Sequence, residues 1–392
     1  MTKVLHVLLV LGHPNQPYMT DLFEGLVKSN EDVHHLVLCN KNLTTDLSVH
    51  HLVLGDKNDL FKISTFIYLI KIMLTSAIEL PLVRQGRFKS RLKFLLKWRY
   101  LIECDAHVIH IHHLHIVPLS ILQLLKSKNK KIIVSLRGKD LVIDTLDLRR
   151  KEQFLEKLEL CDKVHVNSDY FIQLATLKGV ERTKLVRTYR GVKIDTYLKK
   201  DLNRLHFHKG KDTLKIIVVG RLEWEKGHVF ILDSLNRLRK KNIRIQCDFY
   251  GEGSFREFLE FRIYQLGLEG IVSVKGHFSN ERLRQEYKNY HIALQPSLYE
   301  SLPNGLLEMC LYNLPCVVSN VGGMSEFILH GVNGICFDIN EPISLDTAIL
   351  DCAILNKKEL MNYNQSLFDK FSFKEGIEDL NNIYLQIQNQ EG

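Results

Sequence analysis

The 392-residue sequence lacks any run approaching the roughly 18–20 uninterrupted apolar residues that a membrane-spanning helix needs. None of its eight cysteines forms a C-x-x-C pair. Cys39, Cys104, Cys161, Cys247, Cys310, Cys316, Cys336 and Cys352 fall mostly in apolar runs. This excludes a small disulfide scaffold, gives no zinc-ligand spacing, and predicts buried, reduced thiols. There are only eight prolines and no low-complexity tract, which argues against disorder. No nucleic-acid recognition motif accompanies the net charge of +8.

What is present is an ordinary globular composition, 45% hydrophobic and 25% charged. The length suits two domains at roughly 100–200 residues each. The opening MTKVLHVLLVLGHP has a short apolar run, one lysine and no small-residue cleavage site before Gly12, His13 and Pro14 end it. It reads as a first core strand rather than a leader. Short β-branched runs then alternate with helix-period segments, the signature of parallel α/β sheets. Strands are expected at 4–10, 35–38, 108–111, 131–136, 163–167 and 184–188, then at 215–219, 244–250, 271–275, 292–295, 316–319 and 335–337. Helices are expected at 227–240, 255–266 and 343–355. A polar, charged stretch at 196–212 separates the halves, which predicts doubly wound domains at 1–205 and 206–372. Open α/β sheets bind ligands at the carboxyl ends of their strands, so two of them facing a central cleft could share one ligand. The last segment, 373–392, carries Phe373, Ile377, Leu380, Ile383, Tyr384 and Ile387 at helical spacing.

Two constellations in the second half carry chemistry. In VVGRLEWEKG a strand ends at Gly220, and Arg221 and Lys226 sit in the loop before a helix. Two cations beside unpaired helix N–H groups suit a diphosphate; a solvated basic loop is the alternative. In YESLPNGLLEMCLYNLPCVVSNVGG, Glu300 precedes a helix that Pro303 can open, and Glu308 lies within it. The amides of Asn304, Gly305 and Leu306 have no intrahelical acceptor, so an anion could sit there with a carboxylate on either side. Carboxylates accept hydrogen bonds from sugar hydroxyls.

These segments, with YGEGSFREFLE from Tyr250, VKGHFSNERLRQEY from Val274, and the continuation through MSEFILHGVNGICF, resemble family 4 glycosyltransferases, a GT-B group with retaining chemistry. The resemblance covers most of 214–338 and implies the GT-B fold, with the terminal helix crossing back to the first domain. It implies that Arg221 and Lys226 bind the donor diphosphate, that Glu308 holds the ribose, and that Glu300 meets the donor sugar. Gly251 and Glu252 would lie near the base, Gly220 would close the strand end, and Gly322 and Gly323 would let backbone approach the ligand. No cofactor is implied; a UDP- or GDP-linked sugar enters as substrate, and the absence of a D-x-D pair gives no metal site for its diphosphate.

The first half matches more patchily, through DAHVIHIHHLHIVPLSIL, VSLRGKD, VHVNSD and YRGVKIDTY. Gly191 fits the family's asparagine-glycine-valine turn, with Arg190 in place of asparagine. Where the family often has a histidine facing the reacting sugar, VSLRGKD has Arg137. Arginine is no base at neutral pH, but it can donate hydrogen bonds to sugar or phosphate. Asp140 is read as orienting Arg137, binding acceptor, or shaping a turn. His110, His112, His113 and His115 form a dense cluster, but alternation sends His110 and His112 one way and His113 the other, which disfavours a metal site; His112 or His113 is the expected acceptor-side residue. The first loop has Gly12 but also Pro14 and Pro17 where the family often has paired glycines; Asn15 and Tyr18 are acceptor-side candidates.

From Arg84 to Arg99 there are seven basic residues and no acidic one, interleaved with Phe88, Phe94 and Trp98. This is either a solvated helix face or a peripheral contact with an anionic membrane. The resulting expectation is a cytoplasmic enzyme, at most peripheral at the inner membrane face. It would transfer a hexosyl group with retention, without a metal, to a glycan or lipid-linked saccharide of a bacterial surface polysaccharide. Two alternatives stay open: an inactive nucleotide-sugar-binding subunit, and a GT-B epimerase or hydrolase.

Overall fold

The computed structural model describes residues 2–11, 17–29, 32–42, 51–53, 88–193, 207–208, 210–341 and 343–389. The chain divides into two compact units. One comprises Met1–Asn167, Ile172–Thr188 and Lys374–Gly392, the other Ser168–Phe171 and Tyr189–Phe373.

The first unit holds β1 (Thr2–Leu11), β2 (Val33–Asn42), β3 (His51–Val53), β4 (Val108–Ile111), β5 (Lys131–Ser135), β6 (Lys163–Val166) and β7 (Leu185–Arg187). They pair in the order β3-β2-β1-β4-β5-β6-β7, all parallel. β3 has only three residues, too short for its period to register in the sequence. The second unit holds β8 (Leu214–Val219), β9 (Ile245–Tyr250), β10 (Val272–Gly276), β11 (Ile292–Gln295), β12 (Cys316–Ser319) and β13 (Gly334–Phe337). Their order is β10-β9-β8-β11-β12-β13, again all parallel. In both sheets the order reverses beside the first strand, the doubly wound arrangement whose switch point takes ligands at the carboxyl edge.

Parallel strands buried on both faces need apolar residues at successive positions, and β8 has them. Leu214, Ile216 and Val218 enter one core with Phe249 and Leu235, while Ile217 enters the other with Met309 and Leu306. β12 repeats the alternation, Val317 facing the first core and Cys316 and Val318 the second. All eight cysteines are free thiols.

The units part between Thr188 and Tyr189, not near residue 205. Tyr189 is already second-unit core: its ring lies 4.5 Å from Phe371, and its hydroxyl donates to Glu326 at 2.8 Å. Gly191 then passes at φ 66° so close to Phe371–Phe373 that a Cβ would meet the Phe373 amide at 2.5 Å. The closing helix, Phe373–Asn389, buries Ile377, Leu380, Tyr384 and Ile387. Its residues from Lys374 on belong to the first unit, where Tyr384 bonds His110 at 2.7 Å and Asn381 bonds Ser29 at 2.8 Å.

The helix Phe88–Glu103 carries the described part of the basic stretch. Trp98 and Arg99 are buried at 2% and 5% exposure, so neither is available as an anchor on a membrane-facing surface; Arg84 and Arg87 lie outside the described residues. Among the described residues no helix is long and apolar enough to cross a membrane.

Candidate functional site

In the second sheet the loops after β9, β8, β11 and β12 leave neighbouring parallel strands at one edge, so their residues converge there. The loops after β8 and β9 interlock through their backbones. Leu222 N–H donates to Glu252 O at 3.0 Å, and Phe255 N–H to Leu222 O at 2.9 Å. A Cβ on Gly251 would stand 1.8 Å from Gly220 O, and one on Gly253 would stand 2.2 Å from Leu222 O. Only glycine lets these two loops lie so close.

Arg221 and Lys226 are both present at this edge, and each has a carboxylate. Arg221 donates to Glu225 at 2.8 Å; Glu225 is buried while the arginine is about half exposed. Lys226 ends a short 3-10 turn, Trp224–Lys226, and its ammonium pairs directly with Glu300; both are mostly buried. Glu300 Oε1 also accepts from Gln295 Nε2 at 2.9 Å and Ser297 Oγ at 3.0 Å. Gly227 follows at φ 67°, its Cα so near Pro296 that a Cβ would meet that carbonyl oxygen at 2.0 Å. The cations are therefore not bare. Glu225, Gln295 and Ser297, none of which the sequence singled out, complete a balanced pocket.

Glu300 is held from behind by the glycine pair. A Cβ on Gly322, at φ 68°, would lie 2.0 Å from Glu300 O; one on Gly323 would lie 2.0 Å from Ser301 O. Gly323 N–H donates to Ser301 O at 3.0 Å. The room these glycines leave is thus filled by the Glu300 loop itself and not by open space for a ligand, as the sequence suggested.

The helix Asn304–Leu311 starts one residue after Pro303, which serves as its N-cap and offers no side-chain cap bond. Within it, Leu307 N–H is the first to be answered from the cap, by Pro303 O at 3.1 Å. A Cβ built on Gly305 meets nothing within 4 Å, so the surface above the helix start is open there. Glu308, on the same helix, is mostly buried and accepts from Arg284 Nε at 2.5 Å, while Arg284 Nη2 donates to Lys193 O at 3.1 Å. Burial pushes the Glu308 pKa above its usual value, and Arg284 pulls it back. Arg284 was invisible in the sequence because nothing in RLRQEY distinguishes it from Arg282. Glu252 is a surface residue paired with Arg256 at 2.7 Å.

Removing Arg284 gives a signed prediction. A carboxylate whose folded pKa burial raises holds its proton more tightly folded than unfolded, so it costs stability as pH rises from the unfolded pKa through the folded one, and that cost is fully present above the folded pKa. Arg284→Met raises that pKa further. Its loss of melting temperature relative to wild type is expected to be greater at pH 7.5 than at pH 5, and an equal loss at both would contradict the pairing.

In the first unit Arg137 follows β5 at the carboxyl edge and donates from Nη2 to His112 Nδ1 at 2.7 Å. Asp140, its pKa raised by burial, feels the Arg137 charge, which lowers it against that burial. Its carboxylate accepts the backbone N–H groups of Arg137, Gly138 and Leu141 at 3.2, 3.0 and 3.1 Å, so it acts as the turn residue opening the short helix Lys139–Val142. His113 caps the 3-10 turn Leu114–Ile116, and burial with Arg137 nearby lowers its pKa to about 4. His115, Asp140, Asp144, Arg150, Phe154 and Lys157 line a recess of about 260 Å³. Asn15 lies outside the described residues, and so does the side chain of Tyr18.

His110 and His112 share one side of β4, as alternation predicts, while the His113 ring lies beside His115, at 6.0 Å between centroids. His110 and His112 stack at 4.0 Å, and His6, which the sequence reading passed over, joins them: one nitrogen from each of the three lies within 4.8 Å of the others. The spacing is of the kind that can hold a cation, but the rings are already hydrogen-bonded. His112 bonds Arg137 and His6, while His110 bonds Tyr384 at 2.7 Å and Ser135 at 2.8 Å. Burial first, then neighbouring histidines and Arg137, hold His6, His110 and His112 well below 6.5, and His35 at about 4. The unfolded chain protonates these rings at about 6.5 while the folded one does not. Their contribution is therefore fully present above that pH and is lost as pH falls from 6.5 through about 4. Melting temperature is expected to drop steeply between pH 6.5 and 5, and His35→Phe is expected to shallow that slope.

Residues 200–365 match the family model of glycosyl transferases group 1. Over 245 residues the chain is 25% identical to an uncharacterized glycosyltransferase, MJ1607, of Methanocaldococcus jannaschii, covering 59% of this chain and 62% of that relative's length. The fold matches solved structures along nearly the whole chain. Anabaena HepE in complex with UDP-glucose aligns with TM-score 0.70 at 14% identity, over 98% of this chain and 100% of the other. The lipopolysaccharide outer core galactosyltransferase WaaB aligns with TM-score 0.66 at 17% identity, over 98% and 99%. The two sheets described above are thus the two Rossmann-like units of a GT-B fold.

Proposed function

We propose that this chain is a retaining, metal-independent glycosyltransferase. It takes a sugar from a UDP- or GDP-linked donor and passes it to a hydroxyl of a glycan or lipid-linked saccharide. The observation that carries the proposal is the Lys226–Glu300 pair, braced by Gln295, Ser297 and Gly322 at the carboxyl edge of the second sheet. It places a cation for phosphate and a carboxylate for sugar hydroxyls in direct contact, ready to separate around a ligand carrying both. The open start of the helix Asn304–Leu311, with amides at Asn304, Gly305 and Leu306, adds a place for anionic oxygen. Glu308 is suited to a ribose diol. Similarity of the second half to glycosyl transferases group 1, and likeness of fold to a protein solved with UDP-glucose and to a galactosyltransferase, point the same way.

In this reading the bond from the sugar's anomeric carbon to the diphosphate breaks, and negative charge grows on the leaving phosphate. Lys226 and Arg221 exchange their carboxylates for that charge, which is electrostatic catalysis. The acceptor oxygen bonds to the same face of the anomeric carbon and its proton passes to a phosphate oxygen. The two cations supply the charge that a D-x-D-held metal supplies elsewhere.

The test is a thermal-shift panel of nucleotide sugars, followed by incubation of the stabilising donor with and without a saccharide acceptor. Transfer predicts release of nucleoside diphosphate only with acceptor, and a product of the donor's anomeric configuration. Rapid donor consumption without acceptor would assign a hydrolase or epimerase instead, and donor binding with no turnover would assign a binding subunit.

A further inference from the structure

The buried histidines of the first unit lie in a row that follows from sheet register. His6 on β1 stands opposite His110 on β4, and His35 on β2 pairs two residues earlier with Val4. From the carboxyl edge inward, Arg137 Nη2 meets His112 Nδ1 at 2.7 Å, His112 Nε2 meets His6 Nδ1 at 2.9 Å, and His6 Nε2 meets His35 Nδ1 at 3.0 Å. His6 and His112 are 0% and 1% exposed and His35 is 4% exposed.

We infer that His112 is the positioning residue of Arg137, and that His6 and His35 complete a one-way chain of imidazole hydrogen bonds that fixes where the guanidinium points. The direction follows from donor and acceptor chemistry. Arginine has only donors, so His112 Nδ1 must accept and its single proton sits on Nε2. That N–H donates to His6 Nδ1, which places the His6 proton on Nε2 in turn, and this donates to His35 Nδ1. His35 is left with a buried Nε2–H that reaches no acceptor at hydrogen-bond geometry among the described residues; the nearby Asn381 side chain of the closing helix favours its protonated form. Burial keeps all three rings neutral, so each has one proton to place and the chain admits only this order. A cation among His6, His110 and His112 would have to break these bonds beside the positive charge of Arg137.

Functionally, and resting on the transfer reading above, the chain replaces a titratable group with a permanently charged donor aimed from the carboxyl edge. It gives the guanidinium a fixed hydrogen-bond direction at that edge without any proton to lose. Two substitutions of similar size separate the bonds of His112. In His112→Asn the side-chain oxygen stands where Nδ1 stood and still accepts from Arg137; in His112→Gln the polar group reaches the Nε2 position and leaves Arg137 without that acceptor. Both remove the same ring from the core, so a purely structural role would move them alike.

The experiment is nitrogen-15 NMR of the full-length chain at pH 7, with donor kinetics of the two variants. Nε2–H tautomers are expected for His6, His35 and His112. Slowly rotating, resolved Arg137 guanidinium protons are expected in wild type and His112→Asn but averaged in His112→Gln. In kinetics, His112→Gln is expected to lower kcat on the order of a hundredfold with donor KM little changed, and His112→Asn to stay within about threefold. An Nδ1–H or doubly protonated His112, identical Arg137 signals in the two variants, or stoichiometric zinc lost on His6→Ala would each overturn the inference. The NMR readout needs no turnover, so an inactive wild type would sink the transferase reading while this chain stood or fell on its own signals.

Discussion

Lys226→Met lowers kcat for sugar transfer by about 10²–10³-fold in this account, the range found when one preorganised donor to a developing anion is removed. The lysine is only 17% exposed in its side chain, so its charge acts in a partly desolvated pocket where screening by water is weak. The substitution also strands Glu300, whose side chain is 12% exposed. Stripping one partner from a buried pair costs about 3–5 kcal/mol when nothing else answers the charge. Here Gln295 and Ser297 remain as donors to the same oxygen, so a loss nearer 1–2 kcal/mol is expected, and the variant should stay folded. Arg221→Met is expected to cost less activity, because that guanidinium is 54% exposed and better screened. Steady-state kinetics beside a denaturant melt separates the two effects: a variant that loses stability but keeps kcat would remove Lys226 from the chemistry.

Gly322→Ala carries the largest expected cost in stability, about 3 kcal/mol or more. The residue sits at φ 68°, which an alanine adopts only under strain, and its Cβ would fall 2.0 Å from the Glu300 carbonyl oxygen. Neither partner is the end of a flexible side chain, so relief requires moving the Glu300 loop, and activity should fall with stability. Gly305→Ala is the matched control. Its Cβ meets nothing within 4 Å and it lies in the first turn of a helix, where alanine is favoured over glycine by roughly 0.5–1 kcal/mol. This variant is expected to melt no lower than wild type while binding the donor more weakly, since the added methyl occupies open space over the helix start. Equal melting temperatures for the two alanine variants would contradict the close backbone crossing.

The doubly wound architecture was legible because parallel strands buried on both faces write themselves as short apolar runs. β4, β11 and β12 begin and end where the sequence pattern places them. β1 and β2 run beyond the expected spans, through the added pairs Thr2↔Val33, Lys3↔His34 and Leu11↔Asn42. Arg221, Lys226, Glu300 and Glu308 could be named in advance because each follows a strand or opens a helix in one segment. Their partners could not. Glu225 and Arg284 are charged residues among many, and only strand order brings Gln295 and Ser297 to Lys226. Alternation correctly put His110 and His112 on one side, but it works within one strand, and His6, His35 and His110 become neighbours only through register between strands. Gly322 and Gly323 were read as room for a ligand because a sequence shows that space is needed and not what fills it.

Calorimetric titration of the full-length chain with a nucleoside diphosphate and with its sugar-bearing form, repeated on Glu300→Gln and Glu308→Gln, addresses the central pocket most directly. The account predicts that Glu308→Gln weakens both ligands by a similar factor, while Glu300→Gln weakens only the one that carries the sugar. Affinities unchanged by either substitution, or equal loss of both ligands in both variants, would contradict it.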